Sequence, residues 1–574
     1  MKKTKFLAVA MATAMLASVG FSACAPTSDK VVISIINFGG GVGKVWLDDA
    51  IERFTAEVED KTYGTQTGVE FDQPLNQQSI NTANMDTDGY HIYFNQGGDS
   101  VRALAQRSFL LPLNDVLQDD LAEFGEEGST VESKIAENYR IMCKGADGNY
   151  YGLPHYEFYP GVTYDVELFD KFNLYFAATG ENNVENRFGN ARLIASKTET
   201  KSVGPNGKTG IVDGVDYSLD DGLPSSLTEL LILCEHMNSS LSIKPFGLSG
   251  ANANYINYLL AGLWASLGGY EEMMACYDFS GKVKVVTSVD EDTPLFEAID
   301  YVGTPTVTEM DVSEATGYYA FQSAARYYAL AFTDIAVNEG WLTATSTQGS
   351  SNTEEQKYFI FNGKKLQNTQ MGNTAMLIEG SYWYNESADV ANFDDYYTLT
   401  KSNKRDLAFM SLPVTFDTPV TNASQGHGPV LMETASSYAY VNANIVEDEA
   451  LVEACKDFLK FLYTDRELSL FSQRTGVMKA VSYDVENTSS LEYYKQHLTK
   501  LRASSDIVYM GSTKKTFLDG YGSLGMGTNG YIFEYGSSRN CLSALRGSTH
   551  AHTVFNAGAR EMETLWGTLY KGEE

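Results

Sequence analysis

The sequence is poor in proline, in cysteine and in positive charge, and each shortage narrows the possibilities. Its 574 residues hold 13 prolines and 6 cysteines, and 42 Lys and Arg stand against 74 Asp and Glu, a formal net charge of -32. A field of that sign repels nucleic acid and anionic lipid, which argues against binding either by charge. The cysteines, at 24, 143, 234, 276, 455 and 541, are widely spaced with no Cys-x-x-Cys, which builds neither a zinc site nor a disulfide framework. Cys455 falls on the apolar side of a helical pattern and is expected to be a buried thiol. No Gly-x-Ser-x-Gly elbow and no His-Glu-x-x-His occurs, so two common hydrolase motifs are missing. Beyond the N-terminus no run approaches the ~18 apolar residues that a spanning helix needs.

A glycine cluster is present, in "INFGGGVGKVW", but not as a nucleotide loop. A phosphate loop needs Gly, four residues, then Gly-Lys-Ser/Thr; counting back from Gly43-Lys44 gives Phe38, and Val45 follows the lysine. The dinucleotide fingerprint fails because Lys44 stands where its third glycine belongs. The glycines still imply a tight turn or a close backbone approach.

The chain opens with a basic "MKKTK" and a short apolar segment ending in "FSAC", the pattern of a secretory signal. A cysteine directly after small residues resembles the lipobox of bacterial lipoproteins, with Phe21 where that family usually has an aliphatic residue. The resemblance implies a signal peptide over 1–23, acylation of Cys24, a tether over 24–30 and an extracytoplasmic, membrane-anchored protein.

Length suggests two to four domains or two large lobes. Strands alternate with helices, the pattern of α/β lobes. "KVVISIIN", "GVEFDQ", "GYHIYFN", "NTAMLIEGSYW" and "DLAFMSLPV" are expected strands, and "VWLDDAIERFTAEVE" and "EDEALVEACKDFLKFLYTDRE" are expected helices. Residues 180–222 and 345–356 are polar and weakly periodic, as surface excursions would be. Within the first, "DGVDYSLDDG" has carboxylates but no bidentate glutamate at the twelfth position of a calcium loop, and is expected to be a solvated turn. Neither metal nor cofactor is expected.

Five stretches together resemble the solute-binding lipoproteins of carbohydrate ABC importers, the maltose-binding-protein type. In that family's order they are "INFGGGVGKVWLDDAIERFTAE", "GYHIYFNQGGDSVRALAQRSFLLPLND", "YYGLPHYEFYPGVTYDVELFDK", "NTAMLIEGSYW" and "ALVEACKDFLKFLYTDRELSLFSQRTGVMKAV", spanning residues 31–483. Members are usually shorter, so the excursions are departures. The resemblance implies a two-lobed periplasmic-binding-protein-like α/β fold with a hinge and an interlobe cleft. It places one lobe at 31–154 plus 436–483 and the other at 155–435 plus 484–574. It also implies a non-enzymatic, monomeric protein that takes a saccharide and delivers it to permease subunits. An exported glycoside hydrolase, or the same fold carrying a peptide or polyamine, is the alternative.

Sugar recognition uses flat aromatic faces together with carboxylates and amides. Trp383 and Tyr384 follow "MLIEGS", where the family stacks a tryptophan on sugar; a core tryptophan is the competing reading. Asn95, Gln96 and Asp99 close the strand "GYHIYFN", and strand ends of this kind face ligand crevices. Asp99 is equally placed to cap the helix beginning near Ser100. Asn37 and Phe38 end the first strand. Tyr156, Glu157 and Tyr159, with His155, follow the first implied crossing, and Tyr255 and Tyr258 precede a Gly-Gly pair.

Overall fold

Two sheets, each fed by separate stretches of the chain, organise the computed structural model. It describes residues 29–177, 181–195, 211–212, 215–216, 222–416, 429–520, 534–535, 539–546 and 549–570. The signal segment, Cys24 and most of the 180–222 excursion with its acidic turn lie outside the described residues.

The first sheet has five strands in the order Leu75–Gln77, Ile35–Phe38, Ile92–Gln96, Ser437–Val441, Leu153–Pro154. The first three run parallel, with Ile35 opposite Ile92 and Asn37 opposite Phe94; Ser437–Val441 runs antiparallel to Ile92–Gln96 and to Leu153–Pro154. The expected strand "KVVISIIN" is two, Val31–Ile33 and Ile35–Phe38. The break falls at Ser34, whose N–H donates to His91 Nδ1 (3.1 Å) and whose carbonyl accepts from the His91 N–H (2.9 Å). Helix Val45–Glu57 turns Trp46, Ala50 and Phe54 inward, the four-residue spacing of one helical face. There Phe54 packs on Phe458 and Phe461, with ring centroids 5.1 and 5.3 Å away.

The long amphipathic stretch near 450 is two helices, Glu449–Phe461 and Asp465–Thr475. Asp448 caps the first and Thr464 the second, so capping side chains divide what periodicity joins. Cys455 is buried, as expected.

The second sheet has four strands in the order Lys244–Gly247, Thr374–Gly380, Pro160–Asp165, Leu407–Phe409. Helix Ile256–Asp278, apolar around much of its girth, crosses its face and breaks at Gly269 (φ 80°). A long hairpin, Lys282–Phe296 with Ile299–Asp311, extends from this half. The chain passes from the first sheet to the second over 155–159, and 434–436 leads back into Ser437–Val441 from the strand Val430–Glu433, which pairs with Asp506–Tyr509 in a separate two-stranded sheet. The polar stretch 345–356 is not wholly a surface excursion, since Ser346, Ser350, Glu355 and Gln356 are buried. Ser351 and Glu354 form a capping box that starts helix Asn352–Ile360 and buries Glu355 and Gln356.

Candidate functional site

The strand Ile35–Phe38 delivers Asn37 and Phe38 to the carboxyl edge of the first sheet. Asn37 is buried and its amide donates to Phe38 O (2.8 Å), Gly43 O (3.0 Å) and Asn76 Oδ1 (2.8 Å). With those bonds Asn37 braces the glycine loop. Phe38 lies under Gly40, where a Cβ would press on its ring.

Gly41 (φ 62°) and Gly43 (φ 64°) are left-handed, which favours glycine. A Cβ on Gly41 would overlap the Tyr156 hydroxyl, and one on Gly43 the Asp389 carboxylate. The Gly41 N–H donates to Glu386 Oε1 at 2.7 Å, and Asn385 Nδ2 donates to Gly41 O at 3.3 Å. The close approach implied by the glycines is therefore to a carboxyl of the other half of the molecule.

That half contributes the strand Thr374–Gly380 and the helix Trp383–Asp389 that follows it. Gln356 Nε2 lies 3.0 Å from Glu379 Oε1 and 3.4 Å from Glu386 Oε2, while its Oε1 accepts from Ser387 Oγ at 2.8 Å. Beside them the rings of Tyr255 and Tyr258 are 4.6 Å apart, and the Tyr258 and Tyr382 hydroxyls share a hydrogen bond of 3.2 Å. Phe158, from the crossing, stands edge-on to Tyr382 at 4.9 Å. Tyr156 donates to Gln96 Oε1. Two carboxyls, an amide, aromatic faces and a backbone N–H thus converge where the halves meet.

The hydrogen-bond donors to the two carboxyls, among the described residues, are neutral. Glu386 is partly exposed as a residue, yet its carboxyl lies deep. Burial pushes it up to about 7 against the opposing pull of the Gly41 N–H and the Gln356 amide. Burial first, and the neighbouring Glu386 second, hold Glu379 well above the carboxylate range.

An acid raised in this way binds more protons folded than unfolded. Its contribution to stability falls as pH climbs from 4.5, the ordinary value, to about 7, and the loss persists above. Glu386→Gln is expected to flatten that slope, gaining up to about 3 kcal/mol over the parent at pH 8 but little at pH 4.5. Melting temperatures across that range test it; parallel pH profiles for parent and variant would place the carboxyl in water.

Other expected site residues stand elsewhere. Trp383 is wholly buried, donates from Nε1 to Thr163 Oγ1 (2.7 Å) and packs on Phe359, Phe393 and Tyr494. With its ring closed off from solvent and its N–H taken within its own half, it has the surroundings of a core residue rather than of a stacking platform. Tyr384 is likewise stacked on Tyr494 at 4.7 Å. Trp383→Phe is expected to lower unfolding free energy by about 1–3 kcal/mol and leave ligand affinity unchanged; a selective loss of affinity in a calorimetric titration would restore its role in binding.

Asp99 is exposed, pairs with Arg107 and accepts from Thr82 Oγ1 (3.1 Å); the helix cap is Ser100, whose Oγ accepts from the Ala103 N–H (3.2 Å). Asn95 is tied to Tyr440 OH (3.0 Å). Glu157 and Tyr159 bond to each other in a buried network with Arg502 and Tyr509.

Glu379, Glu386, Gln356 and Tyr382 were not expected. Gln356 was legible in principle, because Ser351 and Glu354 have capping-box spacing; Glu379 stands inside the quoted "MLIEGSYW".

Comparison with family models and with characterised proteins by sequence finds no match. Among solved structures, a chitin oligosaccharide binding protein is similar over 94% of this chain and 100% of its own, at 15% identity and a TM-score of 0.51. A cyclic alpha-maltosyl-1,6-maltose binding protein from Arthrobacter globiformis has a TM-score of 0.49 at 12% identity, over 94% and 100% of the two chains. The chain has the two-lobed, periplasmic-binding-protein-like α/β fold of the first of these structures.

Proposed function

We propose that this chain is the extracytoplasmic binding protein of an ABC importer, capturing a saccharide, by preference an oligosaccharide, and passing it to permease subunits. The observation that carries the reading is the hydrogen bond from Gly41 N–H to Glu386 across the two halves, surrounded by tyrosines, carboxyls and an amide. Tyrosine faces match the C–H sides of sugar rings, and the polar groups match hydroxyls. The ligand stabilises the closed arrangement that the permease recognises, a population shift. The fold neighbour named for chitin oligosaccharide supports a saccharide cargo. In this reading the lobes are 31–154 plus 436–483 and 155–435 plus 484–574, Cys24 carries the lipid anchor, the protein is a monomer, and it is not an enzyme.

Tyr156, Gln96, Tyr255, Tyr258, Tyr382, Gln356, Glu379 and Glu386 are the residues assigned to the ligand. A thermal-shift screen of the mature chain against mono- and oligosaccharides, peptides and polyamines tests the cargo. A ligand at a hundredfold excess over Kd adds about 2.7 kcal/mol, a rise of a few degrees. A response to one saccharide class is expected. A saccharide consumed during the assay would make the protein a glycoside hydrolase, and a response to peptides or polyamines alone would overturn the cargo.

A further inference from the structure

Lys479 is fully buried, yet no Asp or Glu is in ion-pair contact with it among the described residues. Its Nζ lies 3.0 Å from His155 Nδ1 and sits over the rings of Phe471, Trp46 and Tyr463 at 4.4, 4.8 and 5.2 Å. Cation–π contacts offset only part of the desolvation of an ammonium. Lys479 also lines a cavity of about 250 Å³ between the helices Val45–Glu57 and Asp465–Thr475, together with Trp46, Asp49, Arg53, Glu467 and Arg474. The two acids of that wall are already matched. Arg53 holds Glu467 through Nε (3.0 Å) and a terminal nitrogen (2.6 Å), and Arg474 reaches Asp49 at 3.2 Å. The cavity wall therefore carries one unmatched basic group, in a chain of net charge -32.

We propose that this cavity is a second binding site, for a small oxyanion of the carboxylate or phosphate class, with Lys479 as its anchor and Arg53 and Arg474 at its rim. Guanidinium groups suit oxyanions by geometry as well as charge. The volume lies below the ~300–1,000 Å³ of pockets that hold larger organic ligands, which favours a small ion over a saccharide. The site is independent of the proposed cargo. His155 belongs to the crossing between the sheets, so an anion on Lys479 also bears on the hinge.

Burial lowers Lys479 well below the ordinary lysine range, and lowers His155 likewise, burial before the field of Lys479. An arriving anion would favour the ammonium form against that burial, so anion binding is coupled to proton uptake. The other titratable groups around it are the Tyr463 ring, the Tyr483 hydroxyl that accepts from the Lys479 N–H (2.7 Å), and the pairs Arg53–Glu467 and Arg474–Asp49.

The test is a titration of the mature chain at pH 8 with sodium phosphate and, separately, sodium acetate, at ionic strength matched with potassium chloride. Melting temperature should rise with one oxyanion beyond the chloride control, and the two arms separate phosphate from carboxylate. Calorimetry in two buffers of different ionisation heat should show net proton uptake with the anion. Lys479→Met should weaken binding at least tenfold and abolish proton uptake; should it fail to fold, Arg474→Gln should weaken binding severalfold. No oxyanion-specific stabilisation of the parent, or binding without proton uptake, would overturn the proposal. Equal binding by a folded Lys479→Met, or by Arg474→Gln where the first variant does not fold, would do the same.

Discussion

Arg502→Met is expected to remove about 3–5 kcal/mol of unfolding free energy, the cost of stranding a buried carboxylate without its partner. Glu157 is fully buried and accepts from Arg502 through a terminal nitrogen at 3.1 Å and Nε at 3.3 Å, with Tyr159 and Tyr509 donating to its two oxygens. The guanidinium is mostly buried in turn, and its carboxylate neighbour holds it charged despite that burial. A second acid, Glu433, lies close and is pushed up to about 8, by burial first and by Glu157 among lesser causes. The network joins the crossing 155–159 to the helix Tyr493–Ala503 and the strand Asp506–Tyr509, so its loss should loosen the hinge region together with the fold. Arg502→Lys should recover part of the stability, since one ammonium cannot reproduce the fork. Chemical denaturation reads the effect. A loss below about 1 kcal/mol for Arg502→Met, typical of a solvated surface pair, would mean that water reaches Glu157.

Gly41→Ala is expected to weaken saccharide binding by roughly 10- to 100-fold while both halves stay folded. A non-glycine residue held in the left-handed region costs about 1–3 kcal/mol, and each 1.4 kcal/mol is about tenfold in affinity. Here the added methyl would also overlap the Tyr156 hydroxyl, displacing the loop whose N–H meets Glu386. Gly148→Ala is the control: it shares the positive φ (84°) with nothing within 4 Å of the added atom. It should lose stability without losing affinity. Equal affinity losses in calorimetric titrations of the two variants would mean that backbone strain alone, rather than contact across the halves, sets binding.

Four strands of the two sheets, Ile35–Phe38, Ile92–Gln96, Thr374–Gly380 and Leu407–Phe409, were legible as apolar runs between turn residues, and the helix Val45–Glu57 because its inward residues recur every four positions; the other five strands, Leu75–Gln77, Leu153–Pro154, Lys244–Gly247, Pro160–Asp165 and Ser437–Val441, were not expected. The glycine run announced a close approach but not its partner, since Glu386 lies 345 residues downstream and only topology brings it to Gly41. Trp383 shows the opposite limit. Its position in a motif suggested a ligand face, but which side of a strand-to-helix turn a ring enters depends on Thr163 and Tyr494, residues from remote stretches. Gln356 was hidden by a polar composition that resembles a loop; its burial follows from pairing with Glu379 and Ser387, which periodicity cannot reveal. Lys479 sat unremarked in "VMKAV", because a lone lysine in sequence does not disclose whether its neighbours are water or three aromatic rings.

Small-angle scattering from the mature chain, alone and saturated with the saccharide found by screening, is the decisive test of closure on a ligand. The radius of gyration should be larger without ligand and contract with it, to the value calculated for the arrangement in which Gly41 meets Glu386. The contraction should be weakened in Gly41→Ala. A saccharide that binds tightly yet leaves the radius unchanged in the parent would contradict capture by closure of the two halves.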